Sequence, residues 1–380
     1  MDFSLSEEHR MIRDLARDFA QREVAPGAAE RDETGEFPLA LFKRAAELGL
    51  AGVVAPEEYG GAGLDSLSLT LALIEINAVD ASLGVTLSVH NTLAQNLIIK
   101  HATEEARRKY LPKLATGEWI GCYALSEAFS GSDAAALRTT ATRDGDGYRL
   151  NGVKTWITQG DQARVAVVFA RTGRTGRSKD ISAFIVDCDA EGFSIGTKEE
   201  KMGIRSSSTV ELVLENVSVP AENLLGAEGE GFRLALATLD GGRIGIAAQA
   251  VGIARACLEA SVKYANEREQ FGQKIGEFQA IQWKIADMSA RLAAAEVLTL
   301  RAAWLRDQGV RHTVEAAQAK LIASMLANDA ARDAVQIHGG AGYTREFPVE
   351  RYLRDARVTE IYEGTTEIQR LVIARNLLRE

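Results

Sequence analysis

The sequence has few of the residues on which disulfide-linked and metal-binding proteins depend. Its three cysteines, Cys122, Cys188 and Cys257, lie far apart in the 380 residues and show no CxxC spacing. An odd number of cysteines with this spacing predicts reduced thiols, with neither a disulfide framework nor a zinc knuckle. The five histidines form no set with ligand spacing, so no metal is predicted.

An excess of positive charge and a long apolar run are also lacking. The formal net charge is -9 and the basic residues are scattered, so nucleic acid is not an expected partner. The apolar stretch 64–99 is interrupted by Asp65, Glu75, Asp80 and His90, which predicts buried helices and no membrane insertion. The first ten residues lack the apolar core of a secretion signal. We therefore expect a soluble protein of the bacterial cytoplasm, or of the mitochondrial matrix if the source is eukaryotic.

Hydrophobic patterning divides the chain into three parts. Residues 1–120 have helical periodicity, and residues 121–226 contain short runs rich in β-branched residues that are separated by turns such as Asp144-Gly145-Asp146-Gly147. Residues 227–380 contain long Ala-rich helical segments, near 232–265, 278–307 and 313–336. The prediction is an α+β multidomain protein with an N-terminal helical domain, a middle antiparallel β domain and a C-terminal helical bundle.

Three segments contain residues suited to binding or catalysis. Cys122–Asp133 places Ser126, Ser130 and Ser132 beside Gly131, where backbone N–H groups can approach a ligand closely. Trp156-Ile157-Thr158 offers an aromatic face and a hydroxyl at the end of a strand. Ile361–Arg370 puts the carboxylate of Glu363 next to Gly364, just before a helix. Each segment also has an ordinary structural interpretation. The serine-rich segment would be a turn, Trp156 a core residue, and the last segment a helix cap formed by Thr365 or Thr366 with Glu367.

Taken together, the motifs resemble one protein family along nearly the whole chain. They run in order from Phe3-Ser-Leu-Ser-Glu-Glu-His9 to Ile361-Tyr-Glu-Gly-Thr-Thr-Glu-Ile-Gln-Arg370. Between these ends lie Leu150–Thr158, Lys201–Ser206, Thr238–Gly245, Glu267–Gly272 and Gln336–Gly342. The sequence resembles the acyl-CoA dehydrogenases, most closely their short-chain, butyryl-type branch. The resemblance implies a β-barrel-like middle domain, a C-terminal four-helix bundle and a homotetramer built as a dimer of dimers.

The resemblance implies FAD as the cofactor and two groups of residues that bind it. Ser126 and Thr158 would contact the reactive edge of the flavin, and Trp156 would form its aromatic wall. The same region would contribute Tyr123, Leu125, Gly131, Ser132 and Ile157. The diphosphate and adenosine end would be held by a neighbouring subunit through Arg268, Phe271, Gln279, Gln336, Gly339 and Gly340, with Thr365 and Glu367 also assigned to the cofactor. On composition alone, Arg268 would be a surface ion pair.

Glu363 occupies the family's usual catalytic-base position. It would take the α-proton of a short-chain acyl-CoA while the β-hydride goes to flavin N5, which gives the trans-2-enoyl-CoA. Burial would raise its pKa toward the operating pH. Some family members place the base at the position of Gly242, which has no carboxylate here, and this argues against the isovaleryl-type branch. Ser132, Asp240, Arg243, Tyr362 and Gly364 are assigned to the substrate, and electrons would pass to an electron-transferring flavoprotein.

One segment departs from the family pattern. Where the family has Pro-Gly, this chain has Ala128-Phe129. If the family glycine has positive φ, Phe129 would be strained or the loop would take another path, and either change could alter the substrate range or partner docking. Two alternatives stay open, a flavin-dependent oxidase that uses oxygen on an acyl-CoA or nitroalkane, and a non-catalytic acyl-CoA-binding relative.

Overall fold

The computed structural model describes residues 4–378, so Phe3 of the N-terminal motif lies outside the described residues. The N-terminal part is helical, and its helices are α1 (Glu7–Phe19), α2 (Ala28–Thr34), α3 (Leu39–Glu47), α4 (Ser66–Asn77), α5 (Ala81–Val89), α6 (Asn96–His101) and α7 (Glu104–Ala115). Capping residues explain several starts, because Ser6, Asp65, Asp80 and Thr103 each accept a hydrogen bond from a first-turn N–H.

The middle part is a mainly antiparallel sheet. Its strands are β1 (Gly121–Ala124), β2 (Thr140–Asp144), β3 (Gly147–Thr158), β4 (Val165–Arg171), β5 (Ile181–Asp187), β6 (Phe193–Lys198), β7 (Thr209–Pro220) and β8 (Leu224–Leu225). They pair in the order β6-β7-β3-β2-β4-β5-β8, and β1 lies parallel to β4. The β3–β7 register shifts between Lys154 and Ile157, so the segment that contains Trp156 leaves regular pairing.

The C-terminal part is again helical. It consists of α8 (Gly231–Glu267), a small hairpin of β9 (Glu269–Gln270) and β10 (Gln273–Lys274), and then α9 (Gln279–Asp307), α10 (Thr313–His338), α11 (Val349–Arg357) and α12 (Thr366–Leu377). Helix α8 is long and apolar enough to cross a membrane, but 78% of its most apolar window is buried inside the fold. It is thus a core helix, packed against α4, α5, α9 and α10.

Helices of the first and last parts share one hydrophobic core. Residues from α1, α4, α5, α8, α9 and α10 form this core. The β strands contribute to two further clusters, one among themselves and one with α6, α7 and the start of α8. The acyl-CoA dehydrogenase arrangement of a helical, a β and a helical domain, which the resemblance implied, is therefore present. Because α8 contacts both α5 and the C-terminal helices, it brings residues from distant parts of the chain to one place.

Candidate active site

Glu363 lies in the short segment between α11 and α12, in a backbone conformation that few side chains adopt. Its φ is 51°, and the next residue, Gly364, has φ 90°. Left-handed backbone of this kind is uncommon outside glycine and concentrates at functional sites. Thr365 then caps α12 by accepting the N–H of Ile368, so the capping interpretation of this segment is also correct.

The Glu363 carboxylate is buried against helix α8. A Cβ at Gly242 would lie 1.9 Å from Glu363 Oε2 and 3.0 Å from Leu93 Cδ2. Glu363 Oε2 is buried and has no hydrogen-bond partner among the described residues. Burial raises the pKa of Glu363 from 4.5 to about 7, against the opposing charges of Lys320 and Arg243. Glycine at 242 therefore provides the space that this carboxylate occupies.

Charged and phenolic groups from several elements surround this carboxylate. Arg243 is buried and donates to Asp240 Oδ1 at 2.5 Å, and Asp240 Oδ2 accepts the Thr313 hydroxyl at 2.7 Å. The Tyr123 hydroxyl is buried without a partner among the described residues, and burial together with the nearby Glu363 raises its pKa well above the usual range. Burial raises the pKa of Tyr362 in the same way. The structure thus brings Tyr123, Asp240, Arg243, Tyr362 and Glu363 together.

A buried ion pair shapes the serine-rich segment. Lys154 of β3 is fully buried and donates to Glu127 at 2.8 Å and to the Leu125 carbonyl at 3.1 Å. Glu127 also accepts the Arg138 and Thr139 N–H groups and the Thr139 hydroxyl. The Thr155 N–H donates to the carbonyl of Ser126 at 3.0 Å. This segment is therefore held against the part of β3 that precedes Trp156.

The Ala128-Phe129 pair forms the tip of a two-residue turn. Glu127 and Ser130 exchange backbone hydrogen bonds of 3.1 and 2.9 Å across it. Phe129 does not have positive φ, so the strain considered above does not arise. Its ring is 78% exposed, and the Arg138 guanidinium lies 5.1 Å from the ring centre.

The residues assigned to the flavin edge differ in how they face solvent. Trp156 is 60% exposed and has φ 63°, whereas Leu125 and Ile157 point into the core, so only their backbone could meet a ligand. Ser126 and Thr158 are half-buried, while Gly131 and Ser132 are exposed. An exposed tryptophan held in an unfavourable conformation beside polar groups fits a flat aromatic cofactor.

The residues assigned to the diphosphate and adenosine end of the cofactor are all exposed on the surface of the C-terminal domain. They are Arg268, Phe271, Gln279, Gln336, Gly339 and Gly340. Phe271 is 95% exposed at the tip of the β9–β10 hairpin, with φ 54°. A Cβ at Gly339 or Gly340 would meet nothing within 4 Å, so backbone there is open to a ligand. These residues are therefore open to solvent in the isolated chain.

Several residues near the site were missed by sequence reasoning. The hydroxyls of Ser207 and Ser208, beside the end of β3, are buried and have no partner among the described residues. Gln159 and Ser208 are joined by a 2.7 Å backbone hydrogen bond. The run of three serines at 206–208 before β7 is a signal that could have indicated them. Lys320 and Gln369 also contact the Gly364 carbonyl, at 2.6 and 2.7 Å, and no local pattern indicates that contact.

Three family profiles match nearly the whole of this arrangement. They are the N-terminal, middle and C-terminal domains of acyl-CoA dehydrogenase, which match residues 6–118, 122–217 and 229–378. The chain belongs to the acyl-CoA dehydrogenase family. Members of the family are FAD-dependent oxidoreductases, and this chain is an enzyme of that class.

Individual relatives cover the full length. The short-chain specific acyl-CoA dehydrogenase of Clostridium acetobutylicum is 49% identical over 379 residues, which is 100% of both chains. The butyryl-CoA dehydrogenase structure from Megasphaera elsdenii has a TM-score of 0.98 and 44% identity, with 100% of both chains covered. A chain from work on the electron transferring flavoprotein of Acidaminococcus fermentans has a TM-score of 0.99 and 48% identity, also with both chains fully covered. The chain is thus similar to short-chain enzymes, as the sequence motifs suggested.

Proposed function

We propose that this chain oxidises a short-chain acyl-CoA to the trans-2-enoyl-CoA and that Glu363 is the base that removes the α-proton. The main support is the Glu363 carboxylate itself, whose Oε2 is buried, has no partner among the described residues and lies against Gly242. With a pKa raised to about 7, the carboxylate is poised to accept a proton near neutral pH. Because residue 242 is a glycine, the carboxylate at this point of the site comes from Glu363 and not from α8.

The substrate carbonyl would be polarised by the segment that carries the base. Among the described residues, the Glu363 N–H donates no hydrogen bond, so it is available to a thioester oxygen. A donor aimed where enolate charge develops stabilises that charge. We assign Ser132, Asp240, Arg243, Tyr362 and Gly364 to substrate contacts.

We propose FAD as the cofactor of this chain, and when bound it would accept the β-hydride. Ser126, Thr158 and Trp156 would hold the reactive edge of the ring, with Tyr123, Leu125, Gly131, Ser132 and Ile157 around them. Arg268, Phe271, Gln279, Gln336, Gly339 and Gly340 would hold the diphosphate and adenosine end of a neighbouring subunit's cofactor, and Thr365 and Glu367 would assist. The exposure of Arg268, Phe271, Gln279, Gln336, Gly339 and Gly340 supports a homotetramer in which sites span subunits. An arginine fork suits a diphosphate because it donates two parallel hydrogen bonds.

We propose that the substrate has a short acyl group and that Gln249, which is hydrogen-bonded to the residue before Glu363, limits its length. Gln249 lies two helical turns beyond Gly242 on α8, about 10 Å along the axis. It accepts the Tyr362 hydroxyl and donates to the Ala81 carbonyl at 3.1 Å, so it bridges the gap between α8 and the start of α5. The similarity to a short-chain specific dehydrogenase and to a butyryl-CoA dehydrogenase agrees with this assignment.

The similarity to a chain from work on an electron transferring flavoprotein supports a protein of that kind as the electron acceptor. A cytoplasmic location for a bacterial source, or the mitochondrial matrix for a eukaryotic one, stays a prediction.

Anaerobic titration with butyryl-CoA tests the proposal. The purified protein should be yellow, and butyryl-CoA should bleach its oxidised flavin bands in the wild type but not in Glu363→Gln. Glu346→Gln, which removes an exposed carboxylate of the same type, serves as the control and should bleach normally. If butyryl-CoA still bleaches the flavin in Glu363→Gln, the assignment of Glu363 as the base is wrong.

Two other observations would contradict the proposed reaction. Release of hydrogen peroxide when butyryl-CoA is added in aerobic buffer without an acceptor protein would favour the oxidase alternative. A colourless protein that FAD cannot reconstitute would favour the non-catalytic one.

A further inference from the structure

Helix α10 presents a row of polar side chains to the segment that carries Glu363. Lys320, Ser324 and Asn328 are spaced four residues apart, so they lie on one face of the helix. Lys320 Nζ donates to the Gly364 carbonyl at 2.6 Å, Ser324 Oγ to the Thr359 carbonyl at 2.9 Å and Asn328 Nδ2 to the Ala356 carbonyl at 3.0 Å. This donor row holds the segment from the end of α11 to the base.

Lys320, the first member of the donor row, carries a charge that is unfavourable to bury if its role is purely structural. Lys320 is fully buried, and burial of an ammonium is unfavourable unless other interactions compensate. Its described hydrogen bond is to a neutral carbonyl, which Gln369 Nε2 also reaches at 2.7 Å. A neutral side chain could make that bond, so the hydrogen bond alone does not account for a lysine. What lysine adds at this position is positive charge.

We infer that Lys320 is a positioning residue for Glu363, which holds the Glu363–Gly364 turn in place and supplies a buried positive charge that keeps the carboxylate ionised. The inference rests on the proposed function, in which Glu363 is the base. It assigns a role to a residue that is not among those assigned above to the substrate or the cofactor.

Charged and titratable groups face Glu363 from each element packed around it. Helix α10 contributes Lys320, helix α8 contributes Arg243, strand β1 contributes Tyr123, and Tyr362 precedes the base in its own segment. Arg243 forms an ion pair with Asp240 at 2.5 Å, and its charge also favours the ionised form of Glu363.

Lys320 has no carboxylate within ion-pair distance among the described residues, and of the three carboxylates whose charges act on it, Glu363, Glu360 and Glu367, Glu363 has the largest effect. Burial lowers the pKa of Lys320 to about 8, and the charge of Glu363 opposes that shift, so each group favours the charged form of the other.

Three variants separate charge from hydrogen bonding. Lys320→Met removes both, Lys320→Gln keeps a donor for the Gly364 carbonyl but removes the charge, and Gln369→Leu removes the other donor while leaving the charge. For each variant, kcat/KM with butyryl-CoA is measured against pH. The protonated-carboxyl infrared band, assigned by subtraction of Glu363→Gln, follows Glu363 without turnover.

Loss of the charge should move the pKa of Glu363 upward by about one unit in both Lys320 variants, by both readouts. Below pH 7 the value of kcat/KM should then fall about tenfold, and it should approach the wild-type value at higher pH. Gln369→Leu should lower the unfolding temperature but leave the pKa unchanged.

An unchanged pKa in Lys320→Gln, with Glu363→Gln inactive, would overturn this inference and leave the proposed function intact. An active Glu363→Gln would overturn the base assignment and the inference with it. If Lys320→Met does not fold, the Lys320→Gln result decides.

Discussion

A methyl group at position 242 should disable the base without unfolding the protein. In Gly242→Ala the added Cβ would lie 1.9 Å from Glu363 Oε2, whereas ordinary contacts begin at 3.4 Å. The carboxylate must therefore move by at least about 1.5 Å, or the helix must shift. A displacement of about 1 Å at a reacting group can cost about 100-fold in rate. We expect kcat/KM with butyryl-CoA to fall by about that factor.

The fold should tolerate this substitution. Alanine is favoured over glycine in a helix interior by about 1 kcal/mol, and the atom in conflict is the end of a movable side chain. The unfolding temperature and the flavin content should therefore stay close to the wild-type values. Stopped-flow bleaching of the flavin by butyryl-CoA measures the chemical step directly.

Gly241→Ala is the matched control for Gly242→Ala. Its Cβ would lie 2.2 Å from Arg306 Nη1, on a different side of α8, and should leave the bleaching rate much nearer to wild type. If Gly242→Ala bleaches within threefold of the wild-type rate, the carboxylate does not act from the place where the structure puts it.

Three further predictions concern stability and the cofactor. Burial raises the pKa of Glu363 to about 7 from 4.5 and that of Asp355 to about 7 from 3.8, so the folded protein binds protons more tightly than the unfolded chain. The free energy of unfolding should therefore fall as pH rises from about 4 to 7. In urea unfolding, this fall should be smaller for Glu363→Gln than for the wild type, by up to about 3 kcal/mol. Lys154→Met should lose about 3–5 kcal/mol in the same assay because Glu127 is left without its counter-ion, and adding Glu127→Gln should recover part of the loss. Phe271→Ser should change stability by less than about 0.5 kcal/mol because the ring is 95% exposed, yet lose flavin on gel filtration; full retention would contradict its assignment to the cofactor.

Local patterns were sufficient for the order of the elements. The cap at Thr103 with Glu104 and Glu105 after it starts α7, and the Asp-Gly turns separate strands as expected. Strand β6 shows a limit of local patterns, because five of its six residues are exposed and it therefore has no buried face to produce a clear signal. The conformation of Phe129 could not be predicted from its own preference, because it depends on how the backbones of Glu127 and Ser130 pair.

The presence of a carboxylate next to a glycine and a helix cap could be predicted from residues 361–367 because those features are local. The family motifs also identified Gly242 as the position that lacks a carboxylate. What the local pattern could not provide was the contact between them, because Gly242 and Glu363 are 121 positions apart and meet only when α8 packs beside the last helices.

The same holds for Lys320, which looks like an ordinary helix residue in a sequence rich in alanine. Its burial and its bond to the Gly364 carbonyl arise from the packing of α10 against the segment before α12. Periodicity and capping follow from neighbours along the chain, so sequence contains them directly. The raised pKa of Glu363 depends on desolvation and on charges from other helices, so it exists only in the folded protein.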